Sequence, residues 1–140
     1  MHIIFADTNV FINALQFEES NSRIIVNLIE NEKINVVVSE LVLKEVEKVL
    51  LRVRDQETAG MGVHFIRNYC VVIPRKETMG TMNNWRGQIK EKDLENLAAV
   101  KQFHISHLIS HDRDYENFHE YRTPKQFVIE MGLKPFDAEY

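Results

Sequence analysis

Residues 2–15 carry the stretch that decides the fold, HIIFADTNVFINAL. Residues 2–6 form a short apolar run, which predicts a buried strand that ends at Asp7. The residues that follow predict a helix over 8–15, with Thr8 or Asn9 as its N-cap. A strand that passes directly into a helix is typical of proteins in which the two kinds of element alternate.

The same alternation continues along the chain. Apolar or β-branched runs predict further strands over residues 34–38, 69–73 and 107–110. Helical patterns are found over residues 20–32, 40–52, 55–68, 93–103 and 125–131, and Ser39 is the predicted N-cap of the third predicted helix. The stretch 75–92 is polar and predicts no element. The alternation predicts an α/β fold of three layers (α/β/α) with a mainly parallel sheet, and a single domain over residues 1–140.

The composition limits the class of protein. The chain has 140 residues, of which 44% are apolar and 27% charged, as expected for one globular domain. Its single cysteine cannot form a disulfide within the chain, so a reducing compartment, the cytoplasm, is expected. No apolar stretch reaches the roughly 18 to 20 residues needed to cross a bilayer, so no membrane association is expected. The net charge of −4 argues against nucleic-acid binding by bulk electrostatics, although bound cations would reverse the local field.

Acidic residues follow two of the predicted strands. Asp7 comes directly after the first strand, and Asp112 follows the fourth, with Asp114 two residues further on. Ligands of open parallel sheets bind outside the carboxyl ends of the strands, so acids at these positions are candidate site residues. Each of them alone is also explained as a helix cap or an Asx-turn residue.

Two predicted helices supply further acids. Glu45 and Glu47 lie on opposite edges of the apolar stripe of the third predicted helix, and the pattern alone does not choose between them. Asp93 lies on the inward-facing row of its helix, whereas Glu91 and Glu95 are expected to face solvent. An inward-facing carboxylate needs a partner, so Asp93 is a further candidate site residue.

Acids from two strand ends and two helices would together form a carboxylate cluster. Like charges at short range repel one another, so such a cluster must either take up protons or bind cations. Ligand sets made only of oxygen atoms suit hard, octahedral ions. Mg²⁺ or Mn²⁺ is therefore the predicted cofactor.

Five sequence blocks, in this order, resemble those of PIN-domain proteins. The blocks are residues 7–12 (DTNVFI), 38–50 (VSELVLKEVEKVL), 93–99 (DLENLAA), 108–114 (LISHDRD) and 122–127 (RTPKQF). The resemblance spans almost the whole chain and implies a parallel sheet between layers of helices. It also implies Mg²⁺- or Mn²⁺-dependent ribonuclease activity, with single-stranded RNA as the expected substrate. Many small bacterial and archaeal members are toxins of toxin–antitoxin pairs, so an antitoxin protein is an implied partner, and a homodimer is a further expectation.

The resemblance also implies which acids act. In this chain the acidic positions of the family fall on Asp7, Glu45, Asp93 and Asp112. These are the implied catalytic and metal-binding residues, with Asp114 as the alternative to Asp112 for the fourth position. The family often has another acid just before its third block, where this chain has Lys92.

Other polar residues are expected to support this site. Carboxylate ligands are usually oriented by hydrogen bonds from a second layer of side chains, for which the candidates are Thr8, Asn9, Ser39 and Ser110. Ser39 is also explained by its role as a helix cap. RNA is expected to contact basic and aromatic side chains, for which the candidates near Asp93 are Arg75, Lys76, Trp85, Arg86, Lys90 and Lys92.

Three other functions are compatible with parts of the sequence. His104, His107 and His111 are candidate zinc ligands, but on a strand the last two are too far apart to chelate one ion comfortably. A Mg²⁺-dependent phosphatase would use Asp7 as its nucleophile, although such sites generally have a second acid where this chain has Asn9. A PIN-like scaffold that binds nucleic acid or protein without cleavage becomes attractive if the four carboxylates do not converge.

Overall fold

A computed structural model describes residues 2–140 and has a five-stranded parallel sheet at its centre. The strands are β1 (Ile3–Ala6), β2 (Asn35–Ser39), β3 (Cys70–Ile73), β4 (His107–Ile109) and β5 (Tyr121–Arg122). Their order across the sheet is β3-β2-β1-β4-β5, and every neighbouring pair is parallel. β1 is therefore the central strand, in register with both β2 and β4.

Helices cover both faces of the sheet. Within residues 2–140 they are α1 (Thr8–Gln16), α2 (Asn21–Glu30), α3 (Glu40–Val53), α4 (Gln56–Tyr69), α5 (Arg75–Trp85), α6 (Glu91–Gln102) and α7 (Pro124–Glu130). The chain moves from β1 to β2 to β3 through α1–α4, and then returns across the sheet to β4 through α5 and α6. Right-handed crossovers place these two groups of helices on opposite faces. The predicted three-layer α/β/α fold with a parallel sheet is confirmed.

β1 lies deep in the core because it is covered on both faces. Ile4, Phe5 and Ala6 are fully buried, as are Leu108 and Ile109 of the neighbouring β4. Burial on both faces explains why these strands are continuous apolar runs. The chain leaves β1 towards β2 and later pairs β4 on the other side of β1. The carboxyl ends of β1 and β4 therefore form the crevice in which sheets of this class bind ligands.

Of the two helix N-caps predicted from the sequence, the structure confirms that of α3 and corrects that of α1. Ser39 caps α3 as predicted, since its hydroxyl accepts a hydrogen bond from the backbone N–H of Val42. α1, in contrast, is capped by Asp7, whose side chain accepts from the backbone N–H of Thr8. The prediction of Thr8 or Asn9 as this cap is therefore wrong by one or two positions, because the strand and the helix are joined without a linker.

Two elements have no sequence signal. The stretch 75–92, which predicts no element, contains all of α5, in which Thr78 and Met82 are the buried residues. A helix with so narrow an apolar face has almost no periodic pattern. β5 is only two residues long, which is too short for any pattern to show. None of the helices in the described part of the chain is long and apolar enough to cross a membrane.

Candidate functional site

Asp7 is held rigidly at the carboxyl end of β1. Its Oδ1 accepts from the backbone N–H of Thr8 at 2.8 Å and from Asn96 Nδ2 at 3.3 Å. Its Oδ2 accepts from Ser110 Oγ at 2.7 Å and from Asn9 Nδ2 at 3.4 Å. The residue is only 7% exposed. These contacts fix the direction of the carboxylate before any ligand arrives.

The four candidate supporting residues all lie beside the acids. Thr8 Oγ1 donates to Glu45 Oε1 at 3.3 Å. Asn9 donates to Ser110 Oγ at 3.2 Å and accepts from the backbone N–H of His111 at 2.9 Å, so it ties α1 to the loop after β4. Ser39, besides capping α3, donates to Asn96 Oδ1 at 2.6 Å, and Asn96 in turn contacts Asp7.

Asp93, in the first turn of α6, has one unpartnered oxygen. The residue is 5% exposed, as its predicted inward direction requires. Its Oδ1 accepts from the hydroxyl of Tyr115 at 3.3 Å and from Lys92 Nζ at 3.2 Å. Its Oδ2 is buried and has no hydrogen-bond partner among residues 2–140. A buried carboxylate oxygen without a partner is costly, so this atom is suited to a cation or a bound water.

The structure distinguishes the two acids of α3. Glu45 is half-buried, accepts from Thr8 and lines the same cavity as Asp7 and Asp93. Glu47 is exposed and lies along a different part of the surface, beside Lys44 and Arg67. Only Glu45 therefore faces the carboxyl ends of the strands.

Asp112 and Asp114 both reach the site, from the loop and the short 3-10 helix (Arg113–Tyr115) that follow β4. The backbone N–H of Asp112 donates to Ser110 Oγ, and that of Asp114 donates to Asp112 Oδ1, both at 2.9 Å. Carboxylate oxygens of Asp93, Asp112 and Asp114 all lie within 4.8 Å of one another. The ammonium of Lys92 lies among them, 3.1–3.2 Å from one oxygen of each.

The acids share one open cavity of about 290 Å³. Its lining includes Asp7, Glu45, Asp93 and Asp112, together with Lys92 and Asn96. The structure thus brings the four acids together, from the end of β1, from α3, from α6 and from the loop after β4. Carboxylate oxygens converging on one cavity, one of them unpartnered, fit the ligand preference of Mg²⁺ or Mn²⁺.

Crowding and burial alter the acidity of these groups. Burial raises the pKa of Asp7 to about 6, opposed by its hydrogen bonds from Ser110 and Thr8. Burial, together with the contact with Asp114, raises the pKa of Asp93 to about 6. Burial also raises the pKa of Glu45. Strongly shifted acids in one cleft are typical of functional sites, and here a bound cation would favour the ionised form of each.

The family model of the PIN domain matches residues 4–114 of the sequence. The chain belongs to the PIN-domain family. The match includes the first four of the five sequence blocks and confirms the resemblance to the family, while the fifth block, residues 122–127, lies beyond it. A comparison with curated protein sequences found no significant match.

Solved structures of toxin–antitoxin proteins share the PIN fold. The VapBC2 pair of Rickettsia felis, described as bound to a DNA fragment from their promoter, has a TM-score of 0.66 and 13% identity, over 85% of this chain and 95% of that one. VapC20 of Mycobacterium tuberculosis, described as a sarcin–ricin loop cleaving toxin, has a TM-score of 0.63 and 17% identity, over 81% and 93%. A toxin–antitoxin complex of Klebsiella pneumoniae has a TM-score of 0.66 and 15% identity, over 86% and 97%. At these identities the likeness shows the fold alone.

The metal-free PIN domain is expected to lose stability as the pH rises. Asp7, with an ordinary pKa of 3.8, holds its proton more tightly in the folded state, where the value is about 6. Its contribution to stability is therefore complete below pH 3.8 and is lost as the pH rises through 6. The loss for this one group is up to about 3 kcal/mol, and Asp93 acts in the same direction.

Urea unfolding in the presence of a chelator, at pH values from about 4.5 to 7.5, measures this effect. The free energy of unfolding should fall over that range, and Asp7→Asn should flatten the fall. The lowered pKa of Asp114, about 2, acts in the opposite direction but only at lower pH. A wild-type stability that stayed level or rose between these pH values would contradict the prediction.

Two residues of the site, Asn96 and Tyr115, carry no role in the sequence prediction. Asn96 accepts from Ser39 and donates both to Asp7 and, at 3.1 Å, to the hydroxyl of Tyr115. Tyr115 is fully buried and donates to Asp93. Asn96 lies one helical turn after Asp93 and so shares its face, which is a signal present in the sequence. Tyr115 has no such signal, because its contacts depend on how the chain turns after β4.

Glu95 contradicts the expectation that it faces solvent. It is 3% exposed, and its Oε2 accepts from the backbone N–H of Leu41 at 3.1 Å, at the start of α3. Its Oε1 accepts from Arg75 Nη1 at 2.8 Å. Because α6 is buried from Asp93 to Val100, its sides cannot be told apart by an apolar stripe. Glu91 is exposed, as expected, and pairs with Arg86.

The candidate RNA-contacting residues differ in solvent exposure and in whether they form ion pairs with acidic side chains. Lys76 and Lys90 are exposed, and Lys90 pairs with Asp114 at 3.2 Å. Arg86 pairs with Glu91, and Arg75 with Glu95. Trp85 packs in a small hydrophobic cluster with Met82, Leu94 and Ala98, with the ammonium of Lys101 over its ring at 4.9 Å. These contacts give Trp85 a packing role.

The three candidate zinc ligands are separated. His107 Nε2 contacts Glu130 at 2.8 Å, and the ring of His111 packs against Tyr140. Within residues 2–140, the three metal-ligating side chains whose ligand atoms all lie within 4.8 Å of one another are acidic, Asp93, Asp112 and Asp114, and include no histidine. The geometry gives the zinc interpretation no support.

Proposed function

We propose that this PIN domain is a ribonuclease that uses Mg²⁺ or Mn²⁺ to hydrolyse phosphodiester bonds of single-stranded RNA. The observation that supports this proposal is the convergence of Asp7, Glu45, Asp93 and Asp112 in one cavity, with Asp93 Oδ2 buried and unpartnered. Four acids from four segments of the chain have no shared structural role that would explain this convergence. A common cationic ligand does explain it.

In the proposed reaction the ion would activate water, and the side chains would hold the ion in place. A bound Mg²⁺ or Mn²⁺ lowers the pKa of a water molecule and stabilises negative charge on the scissile phosphate. Asp7 and Asp93 are the proposed principal ligands, and Glu45 and Asp112 complete the acidic set. Thr8 and Ser110 hold the carboxylates of Glu45 and Asp7 in fixed directions, which limits the reorganisation needed when an ion binds.

Two glutamates of α3 provide a matched test. Glu45→Gln should lower the rate of Mn²⁺-dependent cleavage of single-stranded RNA by at least about 10-fold, because it removes one charge from the acidic set. Glu47→Gln, two residues away on the exposed side of the same helix, should leave the rate unchanged. A fluorescent single-stranded RNA with Mn²⁺, Mg²⁺ or a chelator serves as the assay. Equal rates for both variants would refute the assignment of Glu45.

RNA is proposed to approach the cavity over the start of α6. Lys90 and Lys92 lie at this rim, beside the acids, and Lys76, Arg75 and Arg86 are carried by α5 or the residue after it. Basic side chains near the site offset the repulsion between the phosphate backbone and a chain of net charge −4. The proposed contacts of Lys76, Lys90, Arg75 and Arg86 are with phosphates, so they give little preference for sequence. The ammonium of Lys92 is already paired with three carboxylates and adds positive charge at the rim.

Two rival functions make different predictions in the same assay. A phosphatase that used Asp7 as a nucleophile would hydrolyse phosphate monoesters such as p-nitrophenyl phosphate. In the structure both oxygens of Asp7 accept hydrogen bonds, and Asn9 stands where such enzymes generally have a second acid. A non-catalytic scaffold would bind RNA without cleaving it under any metal. The convergence of the acids favours cleavage over both.

We also propose that the chain is a toxin with an antitoxin protein as partner. One structure that shares its fold is described as a toxin–antitoxin complex, and another as a toxin. A candidate surface is an apolar groove of about 280 Å³ between α1, α2, α3 and α4, where Met61 is 65% exposed. Expression of the chain alone should arrest growth, and coexpression of the partner should relieve the arrest; harmless expression would count against this role. The cytoplasmic location and the homodimer stay predictions.

A further inference from the structure

The ammonium of Lys92 occupies the centre of one half of the acidic site. It lies 3.2 Å from Asp93 Oδ1, 3.1 Å from Asp112 Oδ2 and 3.1 Å from Asp114 Oδ2. The ammonium donates hydrogen bonds to Asp93 and Asp112 and forms an ion pair with Asp114. The lysine therefore does in this structure part of what a small cation would do: it bridges three carboxylates and offsets one of their negative charges.

The segment that carries Asp112 and Asp114 also has contacts that do not involve Lys92. Asp114 N–H donates to Asp112 Oδ1, Asp112 N–H donates to Ser110 Oγ, and Tyr115 donates to Asp93 Oδ1. Carboxylate oxygens of the three acids lie within 4.8 Å of one another. The chain thus gathers three carboxylates at one place, and its own lysine ammonium lies among them.

The other half of the acidic site has no such compensation. Among residues 2–140, neither Asp7 nor Glu45 has a lysine, arginine or histidine nitrogen within 4.0 Å, whereas Asp93, Asp112 and Asp114 share Lys92. Asp93 joins the two halves, since its Oδ1 contacts Lys92 and its Oδ2 is buried without a partner. The carboxylate oxygens of the site that lack a cationic partner among residues 2–140 are therefore those of Asp7 and Glu45, together with Asp93 Oδ2.

We propose that the Lys92 ammonium takes the place of a second divalent cation, so that the site binds one Mg²⁺ or Mn²⁺ per chain, on the side of Asp7 and Glu45. A second ion would have to expel an ammonium that already holds three carboxylates, and cations so close together repel one another. The lysine is attached to the chain, so it offsets part of the negative charge of these acids without any ion being captured from solution. This inference rests on the proposed metal-dependent function and specifies its metal count.

The number of bound ions tests the proposal directly. Isothermal titration of metal-free protein with Mn²⁺ at neutral pH should give one ion per chain for wild type and two for Lys92→Met and Lys92→Gln. Lys92→Arg keeps the charge and should still bind one. Lys90→Met is the matched control, because Lys90 pairs with Asp114 Oδ1 and not with Asp93 or Asp112. This variant should also bind one ion.

Thermal unfolding supplies a second readout that does not depend on cleavage. Without metal, Lys92→Met should unfold at a lower temperature than wild type, because three carboxylates lose their shared cation. Saturating Mn²⁺ should then raise its unfolding temperature by more than it raises that of wild type or Lys90→Met. An equal rise in all three proteins would contradict the proposal.

The outcomes separate this inference from the function on which it rests. Two ions bound by wild type, or a single ion bound by the folded Lys92→Met and Lys92→Gln variants, would overturn the role of Lys92 and leave the metal-dependent nuclease standing. No Mn²⁺ bound by wild type would overturn the proposed function itself. The wild-type count needs no variant, so a count of two would overturn the proposal even if both neutral variants failed to fold.

Discussion

Replacing Asp7 by asparagine is expected to abolish the Mn²⁺-dependent cleavage of single-stranded RNA and to leave the fold intact. Changing groups that only orient a metal ligand typically costs about 10- to 100-fold, so loss of a principal ligand should cost at least about 100-fold. Asparagine caps helices about as well as aspartate does, so α1 should keep its N-cap contact with Thr8 N–H. Circular dichroism and the RNA cleavage assay together measure the two parts of this result.

Asp55 provides the matched control for this substitution. It caps α4 as Asp7 caps α1, with its side chain accepting from the backbone N–H of Thr58 at 2.7 Å, but it is exposed and outside the acidic cavity. Asp55→Asn should leave the cleavage rate unchanged. If Asp7→Asn cleaved RNA as fast as wild type, the proposed site would be wrong. If Asp7→Asn were unfolded, Glu45→Gln, at a half-buried position, would decide.

Asn96→Leu is expected to reduce both stability and activity. The amide connects three buried partners, since it accepts from Ser39 and donates to Asp7 and Tyr115. Leucine has a similar size but leaves these groups without their hydrogen bonds. The free energy of unfolding should fall by about 2–4 kcal/mol, and the cleavage rate by about 10- to 100-fold.

Urea unfolding and the RNA assay measure the two effects of Asn96→Leu. Asn84→Leu, at an exposed position of α5, is the control and should change stability by less than about 0.5 kcal/mol. A purely structural role for Asn96 would lower stability without changing the rate of the protein that remains folded. That outcome would remove Asn96 from the positioning of Asp7 and keep it as a core residue.

The sequence predicts the fold well because the relevant signals are local. Short apolar runs with helical patterns between them are enough to predict a parallel sheet between helices. The elements that it does not predict are those with little apolar burial of their own. α5 has two buried residues and β5 is two residues long, so tertiary contacts, and not periodicity, determine their structure.

The acids are easier to predict than the residues around them. Asp7 and Asp112 can be found because a strand ends just before each of them, and this places both at the same edge of a parallel sheet. The choice of Glu45 over Glu47 needs the direction in which α3 packs. Helical periodicity places both on the edges of the stripe, and only the resemblance to the family distinguishes them.

The positions of the Lys92 and Glu95 side chains could not be predicted because they depend on long-range contacts. The side chain of Lys92 could point in several directions from its helix, and only the loop after β4, 20 residues away, shows where its ammonium lies. Glu95 has its partners on α3 and α5, which lie near α6 only in the folded chain. Such contacts have no spacing rule along the sequence, so no pattern in residues 91–102 predicts them.

The position of β1 at the centre of the sheet has a consequence for the order in which the site is completed during translation. β1 is synthesised first, yet its neighbour β4 and the loop with Asp112 come about a hundred residues later. Until that part has emerged from the ribosome, Asp7 lacks Ser110, and Asp93 lacks Tyr115. A nascent chain interrupted within α5 would hold only half of the acids, so an abortive translation product of this gene should be unable to degrade RNA in the cell that makes it.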